Sequence, residues 1–269
     1  MVTTTVLTNV STRTRSPEEP PSAGQVSVSL PPRPVRIALC SVASRERRAR
    51  TFMADLDFSD LSPDAAPDRD AFKRAVADID ADRVSVAGPV PALGAVLAAL
   101  HRRERLDIAV AWTPSTDPLA SGLSRTLGLD HRGRLSGESA GSTRTLSLIR
   151  DDQGGVLLAR GRITSIPKAA NASGPTRPRF GAQIYHDDQR VADGQIQRVD
   201  VLPDWSGEDR LKVNVHKQLW RRGEITLGRA IQVACDEARI EIDGVPFPRP
   251  MTKWTWYADP RLRWTLISA

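Results

Sequence analysis

The stretch from Val84 to Leu129 constrains the fold of this chain more than any other. Val84–Val86 is a short apolar run that ends at Gly88, a pattern typical of a buried strand. Apolar residues then recur at i, i+3, i+4 and i+7, which places them on one face of a helix: Leu93, Val96, Leu97 and Leu100. The sequence therefore predicts a strand that leads directly into an amphipathic helix.

A second strand and a second helix follow. Ile108–Trp112 is again apolar and predicts a buried strand, and Leu119–Leu127 predicts a helix that stops at Gly128. A strand, a helix and a strand within about thirty residues form a βαβ unit, in which the two strands run parallel. The turn at the carboxyl end of such a strand is where an open α/β sheet usually binds its ligand.

The hydrophobic pattern of the sequence changes after residue 133, where short apolar runs alternate with turn residues. Period-two alternation between frequent turns favours an antiparallel β-sandwich. The strand-like runs are Leu146–Ile149, Val156–Ala159, Ile163–Ile166, Val199–Leu202, Leu211–Val215, Ile231–Ala234, Ile240–Ile242, Trp254–Trp256 and Leu262–Ile267. The predicted fold class is thus an α/β domain with a parallel sheet, followed by an antiparallel β-sandwich domain.

Four segments are expected. Residues 1–34 are rich in Thr, Ser and Pro without a repeating apolar face, so they are expected to be a disordered tail. Residues 35–132, beginning with a strand at Val35–Cys40, form the α/β domain. Residues 133–260 form the sandwich, and residues 261–269 form a strand that returns to the first domain.

Composition and charge indicate the binding partners and the cellular location of the protein rather than its reaction. The chain has 38 Lys and Arg against 32 Asp and Glu, a net charge of +6. An excess of basic residues favours contact with phosphates on anionic membranes or nucleic acid. Because the sequence has no recognisable nucleic-acid-binding motif, nucleic acid is the least favoured of these partners. No apolar run approaches the roughly eighteen residues of a spanning helix, and the first residues lack a secretory pattern. A cytoplasmic location, with peripheral contact at the inner membrane surface, is the expectation; oligomeric state is left open.

Four landmarks follow one another in order along the chain. The strand and helix of the βαβ unit flank Gly88-Pro89-Val90-Pro91-Ala92, and Ser121–Leu129 ends in Leu-Gly-Leu. Further on come Ala192–Leu202 and Ile240–Val245, each of which contains an Asp-Gly pair. In order and spacing these resemble the GGDGT loop, the helix that closes with Leu-Gly-Leu, the Asp-Asp-Gly-Leu-Leu-Asp-Val segment and the Val-Asp-Gly-Glu turn of the diacylglycerol kinase and sphingosine kinase-like family, which shares its fold with NAD kinases.

The resemblance implies ATP and Mg²⁺ as cofactors, if the protein is active, and a lipid substrate. Asp243 would be the catalytic carboxylate that receives the proton of the substrate hydroxyl. Nucleotide contacts would come from Gly88, Ala92, Ser121 and Arg125. Asp193 and Asp200 would assist Mg²⁺. An Asp-Gly pair is also the commonest hairpin signal, and for Asp193 and Asp243 a turn is the favoured interpretation.

The departures from the family decide the functional interpretation. Proline lacks an N–H and fixes φ, so Pro89 and Pro91 remove donors from a loop that would otherwise close on phosphates. The loop aspartate is replaced by Val90 and its threonine by Ala92. Three alternatives follow: a lipid kinase-like protein with weak or lost ATP-dependent transfer, which is favoured; an active lipid kinase with a remodelled phosphate loop; and a basic, non-enzymatic binding protein.

Overall fold

A computed structural model describes residues 83–135, 143–166, 178–206, 209–217, 223 and 225–268, together with the backbone of two earlier strands. Within these residues fourteen strands join one sheet. In chain order they are β1 (Val35–Cys40), β2 (Phe52–Leu56), β3 (Arg83–Gly88), β4 (Ala109–Pro114), β5 (Thr143–Asp151), β6 (Gly161–Ser165), β7 (Phe180–His186), β8 (Gln189–Ile196), β9 (Arg198–Asp204), β10 (Arg210–His216), β11 (Ile225–Gly228), β12 (Ala230–Ile242), β13 (Val245–Pro246) and β14 (Met251–Ile267). The described helices are α1 (Val90–Arg102) and α2 (Pro118–Leu127). The predicted tail at residues 1–34 lies outside the described residues.

The βαβ unit is present as predicted. β3 and β4 are parallel, with Val86 opposite Trp112, and α1 connects them. All four apolar residues that predict α1 are at most 1% exposed. The end of β14 joins the other side of β4, also in parallel, with Leu266 opposite Val110. β1 is antiparallel to β3, so in the described sheet the parallel part consists of β3, β4 and the end of β14.

The second half is antiparallel, and β12 organises it. The first part of β12 pairs with β14 and β7, whereas its last residues pair with β6. One layer therefore runs β8–β7–β12–β14–β5, and the other runs β11–β10–β9–β6–β12. The buried Trp256 of β14 lies against Gly161 of β6, where an added Cβ would come within 2.7 Å of the indole. The predicted fold class, an α/β half with a parallel sheet followed by an antiparallel half, is confirmed, and β1 and β2 add antiparallel strands to the first half.

Several strand predictions need correction. Ile231–Ala234 and Ile240–Ile242 are parts of one strand, β12. The sequence suggests two strands because a bulge between Ala234 and Ala238 interrupts the side-chain alternation. Trp254–Trp256 and Leu262–Ile267 are likewise parts of β14, which is irregular between Asp259 and Arg263. The prediction of a strand at Val156–Ala159 is wrong: only Val156 makes an isolated bridge. The sequence analysis does not predict β2, β7, β8, β11 or β13.

The sheet continues from one half into the other. Residues Pro32–Ala269 form one compact unit, and β14 belongs to both halves through its pairing with β12 and β4. The domain boundaries at residues 132 and 260 stay a prediction. No described helix is long and apolar enough to cross a membrane.

Candidate functional site

The carboxyl ends of the parallel strands β3 and β4 form the edge where an α/β sheet of this kind binds a ligand. Gly88 is the last residue of β3, Pro89 is the N-cap of α1, and Val90 already lies in the helix. The connection is therefore a single residue. Gly88 has a φ of 149°, which favours glycine, and its carbonyl accepts hydrogen bonds from the indole of Trp112 and the backbone N–H of Ser115, each at 3.1 Å.

The first turn of α1 has few N–H groups within reach of a ligand. Pro89 and Pro91 have none, which the beginning of a helix tolerates because its first N–H groups lack intrahelical partners. The N–H of Ala92 donates to the carbonyl of Pro89 at 3.0 Å. Val90, Ala92 and Leu93 are all 0% exposed. The predicted nucleotide contact Ala92 is therefore fully buried.

A short irregular segment, Val156–Arg160, lies against α1 near this turn, and we call it the cover segment. A Cβ at Gly94 would lie 3.7 Å from the carbonyl oxygen of Val156 and 3.8 Å from the side chain of Leu158. The indole N–H of Trp205 donates to the carbonyl of Leu158 at 3.0 Å. The cover segment is thus fixed between α1 and the sandwich.

The N-terminus of α2 is capped by Asp117, a residue that the sequence analysis missed. Its Oδ1 accepts the N–H groups of Leu119 and Ala120 at 2.9 and 3.0 Å, and Pro118 occupies the first helical position. Asp-Pro before an apolar-periodic run is a recognisable helix start, so the signal was present. A carboxylate already occupies the donors of this helix terminus.

Asp243 lies in the turn between β12 and β13. Asp243 and Gly244 have φ values of 50° and 86°, as a two-residue hairpin turn requires, so the turn interpretation is confirmed. Its carboxylate accepts three successive backbone N–H groups of the cover segment: Leu158 at 2.9 Å, Ala159 at 2.7 Å and Arg160 at 2.8 Å. A strand points successive N–H groups to opposite sides, so this convergence explains why the cover segment is not a strand.

Burial dominates the electrostatics of Asp243, which is 3% exposed. Loss of hydration raises the pKa of the carboxyl to about 6, against the opposing effect of the three N–H bonds and of the Arg160 charge. The adjacent turn also approaches α2, since a Cβ on Gly244 would lie 3.7 Å from the side chain of Leu119. The turn that contains Asp243 is therefore close to the start of α2, and the carboxylate of Asp243 is occupied by backbone donors of the cover segment.

Asp200, on β9, is surrounded by cationic and imidazole groups. Its carboxylate lies 2.9 Å from Nε of Arg162, 2.7 Å from Nε of Arg198 and 3.0 Å from Nε2 of His216. The side chain of Asp200 is 12% exposed. The carboxylate thus has basic partners on both of its oxygens.

Asp193 is far more exposed and has a different environment. Its side chain is 55% exposed and pairs with Arg190 at 2.8 Å. The interpretation of Asp193 as a turn residue is wrong: it lies within β8, opposite Gln183, and Asp187–Asp188 form the turn that precedes β8. The sequence signal misled because Gly194 adopts a positive φ of 114° inside a strand.

The structure brings some of the predicted site residues together and not others. Gly88 and Ala92 meet at the start of α1. Ser121 is half-buried in α2, and Arg125 is exposed in the last turn of that helix. Asp193 and Asp200 lie on β8 and β9, which do not pair with each other in the described sheet. Among the described residues, no group of three or more His, Cys, Asp or Glu side chains could hold a metal ion.

Comparison with solved structures identifies the fold. The chain is similar to a diacylglycerol kinase from Bacillus anthracis str. Sterne, with a TM-score of 0.51 and 15% identity over 71% of this chain and 78% of that one. A second structure from this strain, also assigned as a diacylglycerol kinase, has a TM-score of 0.52 at 15% identity over 71% and 79%. An NAD kinase from Archaeoglobus fulgidus in complex with ATP has a TM-score of 0.43 at 10% identity over 70% and 78%.

No protein-family model matches the sequence, and no curated protein matches it. The first two structural similarities nevertheless show that the chain has a diacylglycerol kinase-like fold. This confirms, for the fold, the resemblance that the sequence landmarks indicate.

Proposed function

We propose that this protein keeps the diacylglycerol kinase-like fold for binding and has weak or lost ATP-dependent phosphoryl transfer. The observation that carries the proposal is the state of the two helix N-termini at the edge of β3 and β4. Phosphate recognition at such an edge depends on free backbone N–H groups and on the positive end of the helix dipole. At α1 the donors are absent or buried, and at α2 they are bound to Asp117.

Asp117 also opposes a nucleotide through its charge. A carboxylate at the N-terminus of α2 occupies a position that favours anions, and it would repel a phosphate placed beside it. The cover segment adds a steric argument, because it packs against α1 one turn from the helix start. These features together support the proposal that the edge of β3 and β4 does not accept a nucleotide.

The residues predicted to assist Mg²⁺ do not suit the ion. Mg²⁺ prefers an octahedral set of oxygen ligands. The Asp200 carboxylate is instead within 3.0 Å of nitrogen atoms from Arg162, Arg198 and His216, and a cation placed there would be repelled by the two guanidinium groups. Asp193 pairs with Arg190 on a strand that does not neighbour Asp200. These two carboxylates therefore do not support a Mg²⁺ site for phosphoryl transfer.

One observation favours the alternative of an active kinase. A general base works best when its pKa is near the working pH, and burial raises the pKa of Asp243 to about 6. Its three N–H bonds to the cover segment argue against this role, because both carboxylate oxygens already accept hydrogen bonds. An active enzyme would have to release the cover segment first.

Thermal unfolding with and without millimolar Mg-ATP tests the proposal. A nucleotide present well above its dissociation constant raises the unfolding midpoint by a few degrees. We expect no shift. A shift that disappears in Arg125→Gln but remains in Arg102→Gln would overturn the proposal. Both arginines lie in the last turn of their helices, and only Arg125 is a predicted nucleotide contact.

A further inference from the structure

An apolar corner lies exposed on the outer side of β9, β10 and β11. Leu202, Ile225 and Leu227 are 40%, 63% and 50% exposed. Leu202 lies opposite Lys212, which lies opposite Leu227, so the three form one row across the strands. Ile225 lies in the next row. Because paired strands are about 5 Å apart, Leu202 and Leu227 lie about 10 Å apart with Lys212 between them. We call the surface formed by Leu202, Lys212, Ile225 and Leu227 the β9–β11 corner.

Basic groups lie within the β9–β11 corner, at Lys212, and beside it, at Arg162 and Arg198. Lys212 has a side chain that is 45% exposed, while its partner Asp204, 2.9 Å away, is only 5% exposed. Arg162 and Arg198 are 28% and 31% exposed, while Asp200 between them is 12% exposed. In each case the carboxylate lies deeper than the cation that it holds. The accessible charge beside the apolar side chains is therefore positive.

The neighbouring acidic side chain does not reverse this balance. Glu241 lies on β12 in the same row as Arg162 and Asp200, and it is 29% exposed. Its carboxylate pairs with Arg160 at 3.3 Å. The corner and its border thus combine three exposed aliphatic side chains with an excess of accessible cations.

We propose that the β9–β11 corner docks on an anionic phospholipid surface. Aliphatic side chains gain free energy when they enter the boundary between headgroups and acyl chains, and adjacent Lys and Arg side chains are attracted to anionic headgroups. A stable protein partner usually buries about 800 Å² on each side, far more than three side chains offer. Binding to a membrane interface, in contrast, needs only a few aliphatic and cationic side chains, whose contributions add together. The docking does not depend on whether the protein consumes ATP.

Sedimentation with vesicles tests this docking on the full chain. We expect binding to vesicles of phosphatidylcholine and phosphatidylglycerol, no binding to phosphatidylcholine alone, and a loss of binding as salt rises. Ile225→Thr and Leu227→Thr should each weaken partitioning about fivefold, since roughly half of an aliphatic side chain no longer becomes buried. Both positions are exposed, and threonine retains the strand propensity.

Tyr185→Thr is the matched control, because Tyr185 is 36% exposed on β7, in the other layer of the sandwich. Its partitioning should equal that of the wild type. The docking proposal is overturned if anionic vesicles do not bind the protein, or if the corner variants bind as well as the control. It is also overturned if the corner variants only convert a dimer into a monomer in light scattering, which would assign the corner to contact between two copies.

Discussion

Replacing Asp243 with alanine should lower the free energy of unfolding by about 3 kcal/mol near neutral pH. The change leaves three N–H groups of the cover segment without an acceptor: that of Leu158 is buried, and those of Ala159 and Arg160 are half-buried. Each buried donor left unsatisfied costs about 1–3 kcal/mol. It also removes a buried carboxylate whose pKa burial raises to about 6, and removal of this charge near neutral pH stabilises the folded protein by about 3 kcal/mol. The lost hydrogen bonds are the larger effect.

Urea denaturation near neutral pH measures the change, with Asp193→Ala as the matched control. Asp193 also precedes a glycine, but its side chain is 55% exposed and its ion pair with Arg190 is at the surface. Such pairs contribute at most about 1 kcal/mol. If Asp243→Ala is no more destabilising than Asp193→Ala, the cover segment is not held by the carboxylate and the reasoning is refuted.

The raised pKa of Asp243 adds a pH signature with a definite sign. The folded protein binds the proton of Asp243 more tightly than the unfolded chain, in which the carboxyl has its ordinary pKa of 3.8. The stabilising contribution is therefore complete below about pH 4 and is lost as the pH rises through about 6. Between about pH 7 and pH 5, the wild type should gain about 1 kcal/mol relative to Asp243→Asn. An equal pH dependence of the two proteins would contradict the assignment.

Three further substitutions test the packing, each by urea denaturation. Gly161→Ala should destabilise by about 1–3 kcal/mol, because the new Cβ would lie 2.7 Å from the fully buried Trp256 ring; an unchanged midpoint would mean that the two layers are not in contact there. Gly122→Ala should have the opposite sign and stabilise α2 by about 0.5–1 kcal/mol, since nothing lies within 4 Å of the new Cβ; destabilisation would contradict the helix. Trp205→Phe should cost about 1 kcal/mol through loss of the hydrogen bond to Leu158, and a neutral effect would contradict that contact.

The βαβ unit could be predicted from the sequence because its signals are local. The spacing of four apolar residues gives α1, and Gly128, with a φ of 75°, ends α2 where the sequence places the stop. The turn at Asp243 is local as well. These elements need no knowledge of distant partners.

The environment of each predicted site residue could not be read in the same way. The cover segment looks like a strand because Val156–Ala159 is apolar, and only the distant Asp243 draws its N–H groups to one point. Asp200 gains its basic partners from β6 and β10, which are separated from it in sequence. Tertiary contacts of this kind override local pattern.

The transfer of phosphate from labelled ATP to diacylglycerol in mixed micelles, by the purified full chain with Mg²⁺, tests the central claim most directly. With the N-termini of α1 and α2 closed by Pro89, Pro91 and Asp117, we predict phosphatidic acid at or barely above the protein-free background. Turnover in the usual kinase range of about 1–100 per second would contradict it.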